Sequence, residues 1–504
     1  METSIDQPVD VMHAEGVYTK SIQSGKWYLA SVMGQKIINL VSFFILVRLL
    51  QPKDYGVMGI AMLVLSLFGQ FTNPAFGESL MQRKDSIERY LDPYWTLDLL
   101  RVCGIAGVVF FTAGPIGAFF HLAGSDIGLI RASGLLLLIP AFGNIRLIYL
   151  FKRLDFHKIF IRDMVAQIGF TAAAIAFAVW VQATAWALFT GYLVMTVVGM
   201  MMSYVLVPTR PVPSLQFKRL YDLIGYSKWV YGHNMLDLVI AQLDRLIVAR
   251  QLNPTELGVY SKGKDLAATP TSILAGMINK VGFPAFSMIQ DRMEKVRIGF
   301  VKSVEVIALI SLPITLLILL EGGALVTIFL GPKWSSVVLP LKIFAFGNLF
   351  IAFVQVTSPV FGALARPDIK FKTNVLQAVV SVPLMTIGIT LAGVNGLAAG
   401  IVIAWIVMLL FVILKARPIL NIPKRMFSPV IISSLCGASA VLVFDILTRR
   451  YVHANATTLI TLAWIIGLGL LYMLTVALVG LRYSQGPWQT LLSIFRELGM
   501  LRRE

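Results

Sequence analysis

The sequence is poor in charge and in cysteine. Only 14% of its 504 residues are charged, and its two cysteines are Cys103 and Cys436. A soluble domain of this length needs far more charge to cover its surface, so the composition predicts that most of the chain faces lipid. Both cysteines lie in apolar stretches without the spacing of a metal site or a redox pair, and we interpret them as inert packing residues.

Several motifs and segments are also missing. Residues 1–20 lack the basic and then apolar pattern of a cleaved signal peptide, so the first apolar run is expected to act as its own insertion signal. No P-loop, dinucleotide fingerprint or zinc motif occurs, and we expect no cofactor and no metal. No loop exceeds about 20 residues, which leaves no place for an ATPase domain or for the large external catalytic loop of a membrane glycosyltransferase or polymerase. We therefore predict a protein that is not an enzyme.

Apolar runs dominate what is present, with 57% hydrophobic residues and a mean hydropathy of +0.79. A membrane-spanning helix needs about 20 apolar residues. The runs are long and continuous, which favours helices over barrel strands. Fourteen windows are predicted to span: 27–50, 55–78, 95–120, 127–150, 160–182, 185–207, 225–251, 257–287, 300–320, 335–362, 372–392, 395–414, 428–447 and 458–481.

The formal net charge is +17, and the basic residues are concentrated in short clusters between the apolar windows. The clusters occur at every second connection, while the connections near 183–185 and 393–394 have no basic residue; Lys333 and Arg449-Arg450 are exceptions. Lys and Arg are enriched in cytoplasmic loops. Both termini are therefore predicted to lie in the cytoplasm, and the positive charge needs no nucleic-acid partner to explain it.

A ten-residue phrase occurs twice, at residues 48–57 and 250–259. Arg, Leu, Pro, Gly and Val recur at the same places, Gln is matched by Asn, and Asp by Glu. The offset of 202 residues also pairs Lys26-Trp27 with Lys228-Trp229 without a gap. This match indicates two copies of one unit. With an even number of windows per copy, both copies enter the membrane from the same side, so the repeat is predicted to be parallel.

The predicted fold is an all-α polytopic membrane protein with two six-helix lobes that face each other across a central cavity, followed by two further helices. A linker containing three prolines divides the lobes. For the tail, a short interfacial helix and a frayed end both remain open. The predicted segments are 1–26, a cytoplasmic N-terminal segment; 27–207, the first lobe; 208–224, a cytoplasmic linker; 225–414, the second lobe; 415–482, the last two spans; and 483–504, a cytoplasmic tail.

Polar residues inside two matching spans form stripes. Charge in lipid is costly, so such residues are candidates for function, although a structural pair or a snorkelling side chain remains the alternative for each. In the first span Gln35, Asn39 and Ser42 share one helix face, with Lys36 beside it. The seventh span has a stripe at the equivalent place. Its members are Asn234, Asp237 and Asp244, with His233 and Arg245 adjacent.

The offset maps Gln35 onto Asp237 and Ser42 onto Asp244. A helix facing lipid would not keep a polar stripe in both copies, so both helices are predicted to line a cavity. His233 is interpreted either as a satisfied interior residue or, beside Asp237, as a proton carrier.

The eighth span carries further charge, with Lys262 and Asp265 on one face and Lys264 to one side. Two roles remain open for Arg48 and Arg250 at the ends of their helices: capping of the last helical carbonyls, or part of a cationic site. The prolines and glycines of the repeated phrase are predicted to form a structural turn, in which each proline starts the next helix. These residues are Pro52, Gly56, Pro254 and Gly258.

Three stretches of the sequence resemble a known family. They are the helix and turn at 29–54, the exit of the second span from Asn73-Pro74-Ala75-Phe76-Gly77 to Gln82-Arg83-Lys84-Asp85, and the segments 243–248 and 257–262. They resemble the Wzx-type polysaccharide-export flippases of the multidrug/oligosaccharidyl-lipid/polysaccharide exporter superfamily, whose other members include MATE transporters and the lipid II flippase. The resemblance covers roughly the first 415 residues, and a count of fourteen spans is more similar to the lipid II flippase.

The resemblance implies a V-shaped pair of lobes that moves undecaprenyl-pyrophosphate-linked oligosaccharide to the periplasmic leaflet for exopolysaccharide, O-antigen or capsule synthesis. A coupling H⁺ or Na⁺, a polymerase and a chain-length regulator are the implied partners. Family members have a cationic cavity for the pyrophosphate, which needs fixed cations. The best candidates in this sequence are Lys36, Arg245, Lys262 and Lys264, with Arg48 and Arg250 in addition. The residues predicted to balance these charges or to carry a coupling ion are Asp237, Asp244 and Asp265.

One alternative stays open. A MATE-like antiporter of organic cations requires a cavity of net acidic character, whereas cations at least match acids in the predicted stripes. A membrane scaffold without transport activity has no feature in its favour.

Overall fold

In lipid, backbone N–H and C=O groups have no water to bond, so a spanning chain satisfies them within helices. The computed structural model describes residues 33–83, 85–153, 155–423, 426, 428–454, 458–481 and 486–497, and these are nearly all helical, with no strand among them. The predicted segment 1–26 and the end of the tail lie outside the described residues.

The helices follow the predicted windows closely. In the first half of the chain they are α1 (33–49), α2 (Pro52–Thr72), α3 (Phe76–Gln82), α4 (Glu88–Phe119), α5 (Gly124–Ser133), α6 (Leu135–Ala141), α7 (Ile148–Lys152), α8 (Phe156–Trp180) and α9 (Ala185–Leu206). In the second half they are α10 (Tyr221–Gln251), α11 (Pro254–Met288), α12 (Met293–Phe329), α13 (Val338–Ala363), α14 (Pro367–Leu420), α15 (Ser428–Ala454), α16 (Thr458–Gly480) and α17 (Pro487–Glu497). Ten stretches of the described chain are long and apolar enough to cross a membrane.

The longest of these stretches, α14, is a hairpin of two helices. Its backbone leaves the helical region at Ala392 and Gly393, where Gly393 has a φ of +55° that favours glycine. A Cβ added to Gly388 would lie 2.2 Å from the carbonyl oxygen of Gly396, and one added to Gly396 would lie 1.9 Å from that of Gly388. The chain therefore turns back on itself, and the predicted boundary between the windows 372–392 and 395–414 is confirmed.

Two predicted helices are shorter than expected. The window 127–150 was expected as one helix, but α6 ends at Ala141. The Asn144 side chain then accepts a hydrogen bond from the backbone N–H of Arg146 (3.0 Å) and donates to the carbonyl of Val207 (2.8 Å). The window 55–78 is broken after Thr72. The break after Thr72 is local, because the Asn73 side chain accepts a hydrogen bond from the backbone N–H of Ala75 (3.0 Å) and Pro74 has no N–H to donate.

By contacts the chain divides into two units, residues 1–258 and 259–504. All of α10 belongs to the first unit, and its N-terminal half is bonded to the end of α2 and to the α2–α3 connection. Tyr231 donates to the carbonyl of Phe71 (2.8 Å), and Ser227 donates to that of Ala75 (3.3 Å). These units are defined by spatial contacts, whereas the predicted lobes are copies of a sequence repeat. The predicted lobe boundaries at residues 207, 225 and 414 therefore stay predictions.

The two copies of the repeated phrase contact each other within the first unit. As predicted, Pro52 starts α2 and Pro254 starts α11. A Cβ added to Gly56 would lie 1.6 Å from the carbonyl oxygen of Pro254, and one added to Gly258 would lie 1.9 Å from that of Pro52. The prediction that these glycines belong to the turn is wrong, because each is the fifth residue of its helix. Glycine is needed there for close approach of two backbones.

The linker between α9 and α10 is bound along α4. The backbone N–H of Val212 donates to Asp92 (3.2 Å), and that of Ser214 donates to Thr96 (2.8 Å). Arg146 pairs with Asp92 (3.1 Å) and with Glu88 (2.6 Å) at the same place. Burial lowers the pKa of Arg146, but the hydrogen bonds and the negative charges of Glu88 and Asp92 together raise it above its ordinary value.

Replacing Arg146 by glutamine is expected to destabilise the protein by about 1.5–3 kcal/mol, the range for hydrogen bonds to charged groups. Arg146 is 11% exposed, so water replaces the lost bonds poorly. The measurement is the unfolding midpoint of the purified protein in detergent. Arg131→Gln, an exposed position, is the control. Equal midpoints for the two variants would contradict a stabilising role of this ion pair.

The cysteines do not pack in a core. Cys103 and Cys436 are both free and exposed on the surfaces of their helices, so the prediction of packing residues is wrong. In a chain that faces lipid an exposed position suits an apolar side chain, and composition alone does not separate a lipid-facing position from a core position.

The tail forms a helix, α17, which is one of the two interpretations left open by the sequence. Trp488 of α17 packs against Gly480.

Candidate functional site

The first unit contains an open cavity of about 1300 Å³. We call it the first-unit cavity. Helices α1, α3, α4, α6, α7, α8, α9 and α10 all contribute to its wall. The polar residues that line it are Gln35, Glu78, Gln82, Trp95, Asp98, Asn144, Arg162, Asp163, Gln167, Thr196, Ser203 and Tyr226.

A carboxylate of α8 lies at the junction of two wall helices. One oxygen of Asp163 accepts a hydrogen bond from the side-chain amide of Gln35 on α1 (3.2 Å). The other accepts from the guanidinium of Arg162, from Nε at 3.0 Å and from Nη2 at 2.8 Å. Asp163 is about a quarter exposed, so it is held in place and still reached from the cavity.

A second carboxylate is fixed in the same way on α4. Asp98 accepts from Nε (3.0 Å) and Nη2 (2.6 Å) of Arg101. Arg101 in turn donates to the carbonyl of Gly69 (3.0 Å) and to the hydroxyl of Thr72 (2.9 Å), and so joins the end of α2 to α4. Charge-assisted bonds of this kind hold a side chain in one orientation.

The remaining wall combines amides with aromatic and apolar surface. The indole of Trp95 donates to the carbonyl of Gly143 (3.2 Å), and this contact fixes the ring in the wall. Gln167 is 8% exposed. Hydroxyl groups pair with carboxylates and amides, while the apolar face of a sugar ring packs on an aromatic side chain. The arrangement is therefore suited to a neutral saccharide.

The residues that line the first-unit cavity carry a net negative charge. Glu78, Asp98 and Asp163 line it, and Arg162 is the cation among the described residues of its wall. An isolated phosphate would meet like charge there.

Among the polar residues predicted on α1, the structure places one in this cavity. Gln35 lines it, while Lys36 is half-buried and Asn39 is exposed. Ser42 is 1% exposed, and its hydroxyl has no hydrogen-bond partner among the described residues.

The stripe predicted on α10 divides into two environments. His233 and Asp237 pair at 3.3 Å, and both are more than half exposed. Asp244 is 3% exposed and accepts from the backbone N–H of Arg245 (2.8 Å). Asn234 is half-buried, as is the Arg245 side chain.

The predicted residues of α11 form local contacts within the second unit. Lys262 lies 3.9 Å from Asp265, and the Lys264 amine lies 5.8 Å from the centre of the Tyr260 ring. Of the two arginines at helix ends, Arg48 is exposed. Arg250 donates to the carbonyl of Phe119 (3.1 Å), the last residue of α4. It therefore caps a helix, although that helix is not its own.

Arg162 and Asp163 line the cavity but are not among the candidate residues of the sequence analysis. Their signal was present, since Asp163 and Gln167 are four residues apart and share a helix face. A charged pair in the first two turns of a helix resembles a solvated loop in sequence, and only the packing of α8 against α1 separates the two cases.

Residues 45–340 match the family described as "Polysaccharide biosynthesis protein". The chain belongs to this family. Among its relatives, the "Lipopolysaccharide biosynthesis protein WzxC" of Escherichia coli (strain K12) is 25% identical over 413 residues, which are 81% of this chain and 83% of the relative. The "Succinoglycan biosynthesis transport protein ExoT" of Rhizobium meliloti (strain 1021) is 21% identical over 61% of this chain and 62% of its own.

Two solved structures share the fold of this polysaccharide biosynthesis protein. "Lipid II flippase MurJ, inward closed conformation" aligns with a TM-score of 0.68 at 12% identity and covers 94% of this chain and 99% of its own. An inward-facing MATE family multidrug transporter aligns with a TM-score of 0.56 at 14% identity, over 77% and 94%. The resemblance to the exporter superfamily is confirmed, and the protein is a multi-pass protein of the bacterial inner membrane.

Proposed function

We propose that this protein flips undecaprenyl-pyrophosphate-linked oligosaccharide repeat units across the inner membrane for exopolysaccharide, O-antigen or capsule synthesis, by alternating access driven by an ion gradient. The observation that carries the proposal is a cavity with saccharide-binding chemistry inside a membrane unit of a polysaccharide biosynthesis protein. Relatives named for lipopolysaccharide biosynthesis and succinoglycan transport support it, as does a fold shared with a lipid II flippase.

The finer architecture is part of the same proposal. We infer fourteen spans, arranged as two six-helix repeats and two C-terminal helices, with both termini in the cytoplasm. The ten apolar stretches include the α14 hairpin as a single stretch. The number fourteen is reached when its second arm is counted separately and the helices α1, α10 and α11 are added. The polar stripes of α10 and α11 lower their hydropathy, as expected of helices that line a polar path, whereas α1 is apolar but is described only over residues 33–49.

Flipping is tested by reconstitution of the purified protein into vesicles that carry a fluorescent lipid-linked oligosaccharide in one leaflet. Transfer to the other leaflet is expected above the rate of empty vesicles. In cells, deletion of the gene is expected to accumulate the lipid-linked oligosaccharide on the cytoplasmic leaflet. If both assays showed no difference, the proposed function would be wrong.

The acidic first-unit cavity is the one observation that favours a MATE-like antiporter of organic cations. A drug-sensitivity assay in an exporter-deficient strain separates the two functions. The flippase is expected to leave drug tolerance unchanged, whereas an antiporter would raise it.

We further propose that the lipid pyrophosphate binds the cations predicted from the sequence. Substitution of Lys36, Arg245 or Lys262 by a neutral residue is expected to block export while protein abundance stays normal, because a pyrophosphate without its cations is poorly bound. The measurement is surface polysaccharide in a complemented deletion strain, with abundance from an immunoblot. Normal export in all three single variants would rule out this site. The acids Asp237, Asp244 and Asp265 are proposed to balance these charges or to carry the coupling ion.

A further inference from the structure

A second cavity lies in the second unit, apart from every residue predicted to bind substrate. It has a volume of about 330 Å³ and lies among α13 and the two arms of the α14 hairpin. We call it the Lys370 pocket. Small-molecule sites begin at roughly 300 Å³, so this volume suits a molecule of about one sugar ring.

The polar residues of the Lys370 pocket are arranged in depth. Lys370, Asn374 and Gln377 follow one face of the first arm of α14, at positions i, i+4 and i+7. Lys370 is exposed and lies three residues from the start of the helix, while Asn374 and Gln377 are half-buried further along it. Gln355 and Ser358 face them from α13. A cation therefore stands at the mouth, and amides stand deeper.

The amides of the pocket wall are open to a ligand. Across the residues that the structure describes, the side chains of Gln355, Asn374 and Gln377 make no hydrogen bond, and all three are half-buried. An amide side chain offers two donors and an acceptor. Three such amides around one pocket match a ligand with several hydroxyl groups.

The positive charge of Lys370 favours an anionic ligand in this pocket. Among the described residues that line it none is a carboxylate, and Lys370 is the one that carries a charge. This is the opposite of the first-unit cavity. The apolar side of the pocket, with Phe361, Met408 and Val412, fits the hydrophobic face of a ring.

We propose that the Lys370 pocket binds a single sugar ring that bears an anionic group, such as a sugar phosphate. The amine of Lys370 pairs with the anion, and the amides of Asn374, Gln377 and Gln355 pair with ring hydroxyls. Two molecules have this chemistry: the phosphate-linked sugar of a lipid-linked glycan, and a soluble sugar phosphate. The first source rests on the proposed function.

The test uses the purified full chain in detergent with three soluble probes: glucose 1-phosphate, glucose and inorganic phosphate. A ligand of the folded state raises the unfolding midpoint according to its concentration and affinity. Glucose 1-phosphate is expected to raise the midpoint and to bind at least tenfold more tightly than either part alone. No effect of glucose 1-phosphate, or an equal effect of phosphate alone, would overturn the proposal.

Variants locate the binding site. Lys370→Gln and Gln377→Leu are each expected to weaken glucose 1-phosphate binding at least tenfold. Lys372→Gln is the matched control, because Lys372 lies two residues away, pairs with Asp368 at 3.4 Å and does not line the pocket. Equal losses for Lys370→Gln and Lys372→Gln would overturn the assignment to this pocket.

Export in cells distinguishes the two sources of the sugar. If Lys370→Gln lowers export and Lys372→Gln does not, the pocket receives the transported glycan. If both export normally while only Lys370→Gln loses binding, the pocket receives a soluble sugar phosphate. The binding result is independent of flipping, so a failure of the proposed function and a failure of this site give different outcomes.

Discussion

Gly56→Ala is expected to prevent accumulation of folded protein in the membrane. The added Cβ would lie 1.6 Å from the carbonyl oxygen of Pro254, well inside any permitted contact, and backbone atoms at a helix start cannot rotate away as a side chain can. Overpacking costs about 1–3 kcal/mol where the neighbours can relax, and here they can relax little. We expect the cost to reach at least the upper end of that range, with a matching loss in Gly258→Ala.

The control for this prediction is Gly59→Ala, less than one turn further along α2. A Cβ there would meet the side chain of Leu257 at 3.5 Å, an ordinary contact. Alanine also has the higher helix propensity, so Gly59→Ala is expected to be neutral or stabilising. Abundance is measured by immunoblot of membranes, and stability by the unfolding midpoint in detergent. A Gly56→Ala protein as abundant and as stable as Gly59→Ala would show that the contact is not required.

Asp163→Asn is expected to reduce polysaccharide export about ten- to hundredfold while the protein remains abundant. The substitution keeps the shape of the side chain but removes the charge that accepts from Arg162 and Gln35. Hydrogen bonds to charged groups contribute about 1.5–3 kcal/mol, and each 1.36 kcal/mol is a factor of ten in rate. The measurement is surface polysaccharide in a complemented deletion strain, normalised to protein abundance.

Asp155→Asn is the matched control, because Asp155 directly precedes the same helix, pairs with Lys158 at 3.5 Å and lies outside the first-unit cavity. It is expected to export normally. Gln35→Leu removes the partner of Asp163 on α1 and is expected to lower export by a smaller factor, since the Arg162 pair remains. Normal export in Asp163→Asn would exclude the first-unit cavity from the transport path.

The helices of this protein were largely predictable because lipid leaves a chain little choice. A long apolar run must be a helix, and the break in α14 appeared in the sequence as a glycine between two runs. The broken helix after Ala141 was not predicted, since the apolar residues of 145–150 continue the run. Its cause is tertiary, in the bond between Asn144 and the carbonyl of Val207, and no local pattern records a partner more than sixty residues away.

The first-unit cavity was harder to predict than the helices. A face with polar residues at helical spacing is visible in sequence, and the polar stripe of α1 includes Gln35, which lines this cavity. The partner of Gln35 was not visible, since Asp163 lies in a different helix and its neighbour Arg162 resembles part of a basic loop. The positions of the glycines were also misjudged. Sequence shows that Gly56 recurs as Gly258. Only the fold shows that the backbone of each glycine lies against the carbonyl of the proline in the other copy.

The contact between the two phrases is self-complementary, in the way that the interface of a symmetric dimer is. Gly56 of one phrase meets Pro254 of the other, and Gly258 meets Pro52. A fragment that contains a single copy therefore presents a surface that fits a second molecule of the same fragment. Truncated forms of this protein are expected to pair with themselves through that surface, and the intact chain avoids this by carrying both copies.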